Sequence, residues 1–437
     1  MPTVRYELAR DIPVILEADV IVVGGGPGGL GAAVMAARAG ARTALVERYG
    51  FLGGMAASGE VAPFMSNHAR KISLDKPVYI EWAERIHRYL PADALAQFPA
   101  DPEAAPGGAR LISKDAAMLA AEDLCLEAGV RLLYHHTLAD VTKTGARIDA
   151  LVLHSKSGFT SARAACYVDC TGDGDLAVRA GCAFEQGGAT GHCQPMTLCF
   201  KLSHVDKARM PDRASLNALY DDARRHGEVR CPRENVLLFG YFDDDVVHFN
   251  TTRVIHKNGV NGVELSDAEI DGRRQVREYL AWLRRCVPGF EKARLHSIAH
   301  HIGVRETRRI LGRAHITRAD FEACRKFPDA IARASYPIDI HNPDGSGTEI
   351  VRVPEGDFYE IPYGCIVARD VENLLVGGRP ISVDHAVHSS MRVMPPACSV
   401  GQAAGMAAAM AVRSGVKPAD LDGREVRKRL VEKGANL

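Results

Sequence analysis

The strongest constraint on this chain lies in residues 18–55, ADVIVVGGGPGGLGAAVMAARAGARTALVERYGFLGGM. The stretch reads as strand, glycine turn, helix, strand. Residues 20–23 are a short apolar, β-branched run, and Gly24, Gly26 and Gly29 follow at G-x-G-x-x-G spacing. A helix of small residues is expected over 28–39, stopped by Gly40. A second apolar strand is expected over 43–46, ending on Glu47. Each part suits a bound dinucleotide. Gly24 allows the tight turn, Gly26 lets the backbone approach a pyrophosphate, and Gly29 lets helix pack on strand. Pro27 and Gly28 open the helix, whose N-terminus offers unpaired N–H groups and a positive dipole end to phosphates. Glu47, about twenty residues on, can accept hydrogen bonds from ribose hydroxyls.

Beyond Glu47 the chain continues RYGFLGGMAAS, with a second glycine pair, Gly53 and Gly54. A plain NAD domain needs no such loop. The region resembles the FAD-binding N-terminus of glutathione-reductase-like flavoproteins. Within them it is similar to the FAD-dependent oxidoreductase family, related to the flavin part of heterodisulfide reductase, which carries a VER-x-GF-x-GG-like segment here. The resemblance implies that Arg48, Gly53, Gly54 and Met55 run beside the ribityl and pyrophosphate of FAD. It also implies that the strand around Leu138 brings backbone groups to the adenine.

Two later landmarks carry the same resemblance. Residues 166–181, CYVDCTGDGDLAVRAG, resemble the family's C-TGDGDLA-x-x-AG stretch. Gly172 lets the chain come close to a cofactor, and Asp173 or Asp175 can cap the next helix or bond the ribityl hydroxyls. A calcium loop would need more ligands and a distal Glu, so no metal is expected. Residues 373–406 begin as a buried strand ending in Gly377 and Gly378, followed by Arg379. Pro395 and Pro396 then announce a helix over 397–413. Its small residues, Gly401 among them and beside Gln402, permit close approach to the cofactor or to the first helix. Its positive end would face the flavin.

Formal net charge is zero and no block of like charge stands out, which gives nucleic acid or an anionic membrane little support. The first twenty residues are charged throughout and lack a signal-peptide core. Residues 400–412 are too short to span a bilayer. A soluble cytoplasmic protein is expected, with a homo-oligomer left open. The eleven cysteines include no C-x-x-C pair. Cys166 and Cys170 read as small buried thiols in a reducing compartment, and iron–sulfur ligation is not expected.

Further along, helices are expected over 78–90 and 113–128, with a Pro/Ala/Gly-rich loop over 91–108 between them. Four short strands, over 131–134, 138–142, 148–154 and 159–168, read as a β-meander. A strand over 194–203 leaves the flavin domain. A second domain then holds strands over 236–242 and 245–251 and a helix over 266–285. The fold class expected is α/β: a Rossmann-like, three-layer FAD-binding domain from residues 1–200 and 337–437, with an α+β substrate or cap domain, 201–336, inserted.

The flavin carries the hydride step, and the protein must orient a small-molecule substrate and manage one proton. His385 and His388 are the candidate acid–base groups. Arg392 can hold a phosphate or carboxylate, or neutralise reduced flavin. Arg305, with His300 or His301, can clamp an acidic group; an ion pair of Arg305 with Glu306 or another acid is the plain structural alternative. His341 is a further candidate. Three activities stay open: a dehydrogenase or reductase with non-covalent FAD, a flavin-bearing electron carrier serving a partner protein, and an FAD monooxygenase of the hydroxylase type. A pyridine-nucleotide disulfide reductase would need a second glycine motif and a cysteine pair in residues 51–60, and neither is present.

Overall fold

A computed structural model describes residues 11–70, 72–90 and 112–437. The loop expected over 91–108 lies outside the described residues. Strand β1 (Val14–Val23) leads through the glycine turn into helix α1 (Pro27–Arg38) and on to strand β2 (Thr43–Val46). β1 and β2 run parallel, with Val20 opposite Thr43 and Val23 opposite Val46. Val20, Ile21 and Val22 are fully buried, as a parallel strand covered on both faces requires. Burial of each such side chain contributes about 1.5–3 kcal/mol. β1 starts earlier than its apolar run. Its first half alternates, with Leu16 inward and Glu17 outward, so polarity masks it in the sequence.

Strands β3 (Arg131–Leu133), β4 (Thr137–Thr144), β5 (Arg147–Ser155) and β6 (Gly158–Asp169) extend this sheet. The last three form the expected meander, β4 on β5 and β5 on β6, both antiparallel. β3 does not join it. It lies parallel to β2 at the far edge, Leu132 opposite Leu45. The chain turns away at His135, whose φ is 57°, and the His135 and His136 amides bond the carbonyls of Tyr49 and Glu47. β6 pairs parallel with β1, Val23 opposite Asp169. After β6 comes the short helix α2 (Asp175–Arg179).

A second core gathers residues between Met196 and Val304. Its antiparallel sheet comprises β7 (Phe200–Ser203), β8 (Leu238–Gly240), β9 (Val247–Phe249) and β10 (Arg294–Ile298), in the order β8-β9-β7-β10. The β7 strand is shorter than expected, because Met196 and Thr197 leave it for single bridges to Val254 and Gly303. Helix α3 (Gly262–Cys286) packs Tyr279 and Trp282 into this core. It begins before residue 266 because the Asn261 side chain caps it, accepting from the amides of Val263 and Glu264. Phe200 and Phe249 stack at 4.7 Å between centroids. A buried ion cluster ties the two cores. Glu60 takes Lys114 at 3.0 Å, Lys201 and the Ser297 hydroxyl. Burial alone would raise the Glu60 carboxyl, but Lys201 and Lys114 hold it below its ordinary range.

The chain then returns to the first core through Ile310, Ile316, Phe321 and Ile331. Strand β11 (Leu374–Val376) joins β6 in parallel, Val376 opposite Asp169. Helix α4 (His385–Met391) and helix α5 (Met394–Ser414) follow. α5 has Pro395 and Pro396 in its first turn and ends at Gly415, with φ of 65°. It lies directly on α1. Among the described residues no helix is long and apolar enough to cross a membrane.

Candidate active site

One cavity of about 850 Å³ runs from the glycine turn to the second core, within the size range of cofactor and ligand sites. At one end it is walled by Gly24, Gly26, Pro27 and Gly28. The turn is tight because Gly24, at φ 99°, lies against the Cys170 carbonyl; a Cβ there would come within 2.3 Å of that oxygen. Glu47 borders the same end. Its Oε2 accepts from the Gly25 amide at 2.6 Å and its Oε1 from the Tyr49 amide at 2.8 Å. Burial raises its carboxyl above the ordinary range, against those two amides. A carboxylate offers about four lone-pair positions, so Glu47 can hold the loop and still face a hydroxyl. Arg48, Gly54, Met55 and Leu138 also line the wall.

The middle is built on Asp169, at the end of β6. Its Oδ1 accepts from the Thr171 amide and hydroxyl, and its Oδ2 from the Ala177 amide. Thr171 Oγ1 accepts from the Asp175 amide. Asp169 and Thr171 therefore cap α2. The expectation that Asp173 or Asp175 does so is corrected: both side chains are engaged by arginines. Arg379 bonds Asp173 with one nitrogen and the Gly172 carbonyl at 2.8 Å with another. Thr307 Oγ1 donates to Asp173 at 2.7 Å, and Arg308 pairs with Asp175. Gly172, Asp173, Gly378 and Arg379 all border the cavity.

The far end is arginine-rich. Arg233, Arg305 and Arg392 line it with Tyr336, Asp339 and His341. Arg305 Nη1 donates to the Pro195 carbonyl at 2.7 Å and to Thr197 Oγ1 at 2.6 Å. Glu306 does not pair with Arg305; it pairs instead with Arg309 and with His385 Nδ1, 2.8 Å away. Arg392 Nη2 is 3.9 Å from Asp339 Oδ2, and the Tyr336 hydroxyl donates to the same oxygen at 3.1 Å. Burial, then the positive charge of Arg305, Arg392, Arg233 and Arg253, holds His341 well below its ordinary pKa.

Several candidates lie off this wall. His385 faces Glu306. His388 is fully buried in α4, neither ring nitrogen has a hydrogen-bond partner among the described residues, and neither residue borders the cavity. Gly29, Gly53, Gly401 and Gln402 sit behind the wall. Gly53 donates its amide to the Gly25 carbonyl. Gly401 meets α1, where a Cβ would come within 1.9 Å of the Gly28 carbonyl. Gln402 holds the backbone of Lys76 and Val78. His300 packs on Tyr49 and Phe51, whereas His301 borders the cavity. Arg233, Tyr336 and Asp339 had no place among the candidate residues. Tyr336 and Asp339 lie within five residues of the candidate His341, and nothing around Arg233 marks it.

A sequence model of the family described as FAD dependent oxidoreductase matches residues 19–430. Over 45 residues the chain is 56% identical to dihydrolipoyl dehydrogenase from Trypanosoma brucei brucei, a match spanning 10% of this chain and 9% of that protein. Among solved structures it is similar to p-nitrophenol 4-monooxygenase from Pseudomonas putida, at 12% identity and a TM-score of 0.48, covering 96% of this chain and 87% of that one. It is also similar to a geranylgeranyl bacteriochlorophyll reductase-like protein from Thermoplasma acidophilum, at 13% identity and a TM-score of 0.46, covering 96% and 84%. At that distance neither speaks for the substrate. The family match runs through the glycine turn, the Asp169 turn and α5, so the chain belongs to the FAD dependent oxidoreductase family and is an oxidoreductase enzyme with FAD as its cofactor.

Proposed function

We propose that this enzyme moves a hydride between a small organic substrate and non-covalently held FAD. The supporting observation is the continuity of the cavity, from the bare glycine backbone at Gly26 to the Arg305–Arg392 end. Gly26 presents backbone without a side chain to that space; a Cβ there would meet only Gly54, at 3.7 Å. The donor set fits FAD: amides at the start of α1 for phosphate, Glu47 for a ribose, and the start of α5 for the ring. Bound FAD supplies the hydride acceptor.

The chain's own residues then have separable tasks. The N-terminus of α1 neutralises phosphate charge. Val393, Met394 and Ala397 bring the positive end of α5 to the cavity wall. Leu237, Phe239 and Ile350 add apolar lining to the far end. Asp339 and His341, with His341 Nε2 3.7 Å from Asp339 Oδ2, are the groups placed to hold or move a proton. His385 and His388 are left with packing and pairing roles.

The test is an anaerobic screen of metabolites against the FAD-loaded protein. Bleaching of the flavin by one compound, with its two-electron oxidised product recovered, is the expected result. Turnover that requires dioxygen and NAD(P)H and yields a hydroxylated product would replace this reading with a monooxygenase.

A further inference from the structure

The far end of the cavity holds more positive charge than its own acids match. Arg253, behind His341, is paired with Glu234 at 3.0 Å, and Asp339 stands 3.9 Å from Arg392. Arg233 and Arg305 have no carboxylate within ion-pair distance among the described residues. Among the described residues Arg305 is held by neutral oxygens. Arg233 is 4% exposed, and its Nη1 is buried with no hydrogen-bond partner among the described residues; the same holds for Nε of Arg392. An unpaired buried guanidinium donor is costly, because desolvation is not offset by a bond. Both arginines line the cavity, so an anion bound there can offset positive charge that the protein's own acids do not match.

We propose that the substrate of this enzyme carries a carboxylate, which seats on Arg233 and Arg392 beside Arg305 at the far end of the cavity. This rests on the flavin oxidoreductase reading above and narrows it. Arg233 and Arg392 each leave a guanidinium nitrogen without a partner among the described residues, and charge-assisted bonds from guanidinium to carboxylate are strong and directional. The neighbouring wall of Leu237, Phe239, Val260, Leu265 and Ile350 asks for an apolar body behind the acid group. The cofactor's pyrophosphate is not the occupant, because the amides at the start of α1 provide for it at the opposite end.

The test uses the FAD-loaded enzyme with benzoate, its neutral isostere benzamide, and inorganic phosphate, each followed by the perturbation of flavin absorbance. Benzoate is expected to bind saturably, with benzamide and phosphate weaker by about tenfold or more. Arg233→Met should erase the preference for benzoate while the protein still takes up one FAD, and Arg233→Lys should restore part of it. Should Arg233→Met fail to fold, the benzoate-against-benzamide comparison on the unaltered enzyme stands by itself. Equal binding of benzoate and benzamide overturns the proposal, as does loss of FAD rather than of benzoate in a folded Arg233→Met variant. A protein that binds no FAD at all overturns the flavin reading beneath it, an outcome told apart from the others by its absence of colour.

Discussion

Glu47 spends both carboxylate oxygens on backbone amides, Gly25 on one side and Tyr49 on the other, in a place where burial disfavours its charge. The loop that carries the phosphate-facing amides is thereby held by one side chain. Glu47→Gln replaces one acceptor with an NH₂ group that must face a backbone N–H. A hydrogen bond to a charged group contributes about 1.5–3 kcal/mol, so the FAD dissociation constant should rise by roughly ten- to a hundredfold, read by flavin fluorescence titration. An unchanged constant would show that the loop holds its shape without the carboxylate. Glu47 was legible in the sequence because its distance from the glycines is fixed by one short helix and one short strand. Arg233 was not, since Arg305, Asp339 and Arg392, which line the cavity with it, come from segments far apart in the chain. His385 and His388 attracted attention as titratable residues near Gly378, but helix α4 turns one toward Glu306 and buries the other.

Helices α1 and α5 touch backbone to backbone. A Cβ on Gly401 would come within 1.9 Å of the Gly28 carbonyl, and one on Gly405 within 2.0 Å of the Ala32 carbonyl. The small residues of α5 announced close approach, yet not to what: the spacing fits a cofactor and a helix equally, and only the crossing decides for α1. This matters for the site, because Gly28 also borders the cavity. Two effects compete in Gly401→Ala. Helix propensity favours alanine by about 1 kcal/mol, whereas a clash with a fixed carbonyl must push whole helices apart, at about 1–3 kcal/mol or more. The contact is with backbone and has no flexible end to yield, so the clash wins. Gly401→Ala should lower the urea midpoint and weaken FAD uptake together. A variant more stable than the parent would mean the helices slide apart freely.

Across the whole molecule, buried titratable groups pull stability in opposite directions with pH. His248, His341 and His388 are each held below their ordinary pKa, first by burial and then by neighbouring positive groups; His248 falls to about 3. Below about pH 6.5 the unfolded chain binds protons at these rings and the folded chain does not. Each therefore removes about 1.4 kcal/mol of stability per pH unit as pH falls. Asp75 works the other way. Fully buried and bonded to Ser399 and Asn67, its carboxyl is pushed up to about 7. Between its ordinary value of 3.8 and 7 the folded protein keeps a proton that the unfolded chain releases, so stability rises as pH falls. Glu47 and Asp169, also raised by burial, act in the same direction as Asp75. Single variants separate the two sets. His388→Leu gives up no hydrogen bond among the described residues and should make the loss of stability toward acid shallower by about 1.4 kcal/mol per pH unit, whereas Asp75→Asn should make it steeper by about the same amount. Urea unfolding at about pH 5 to 6.5 reads both slopes. Parallel curves for parent and variants would show that these groups titrate alike in the folded and unfolded chain, and that burial in this fold is not what sets their protonation.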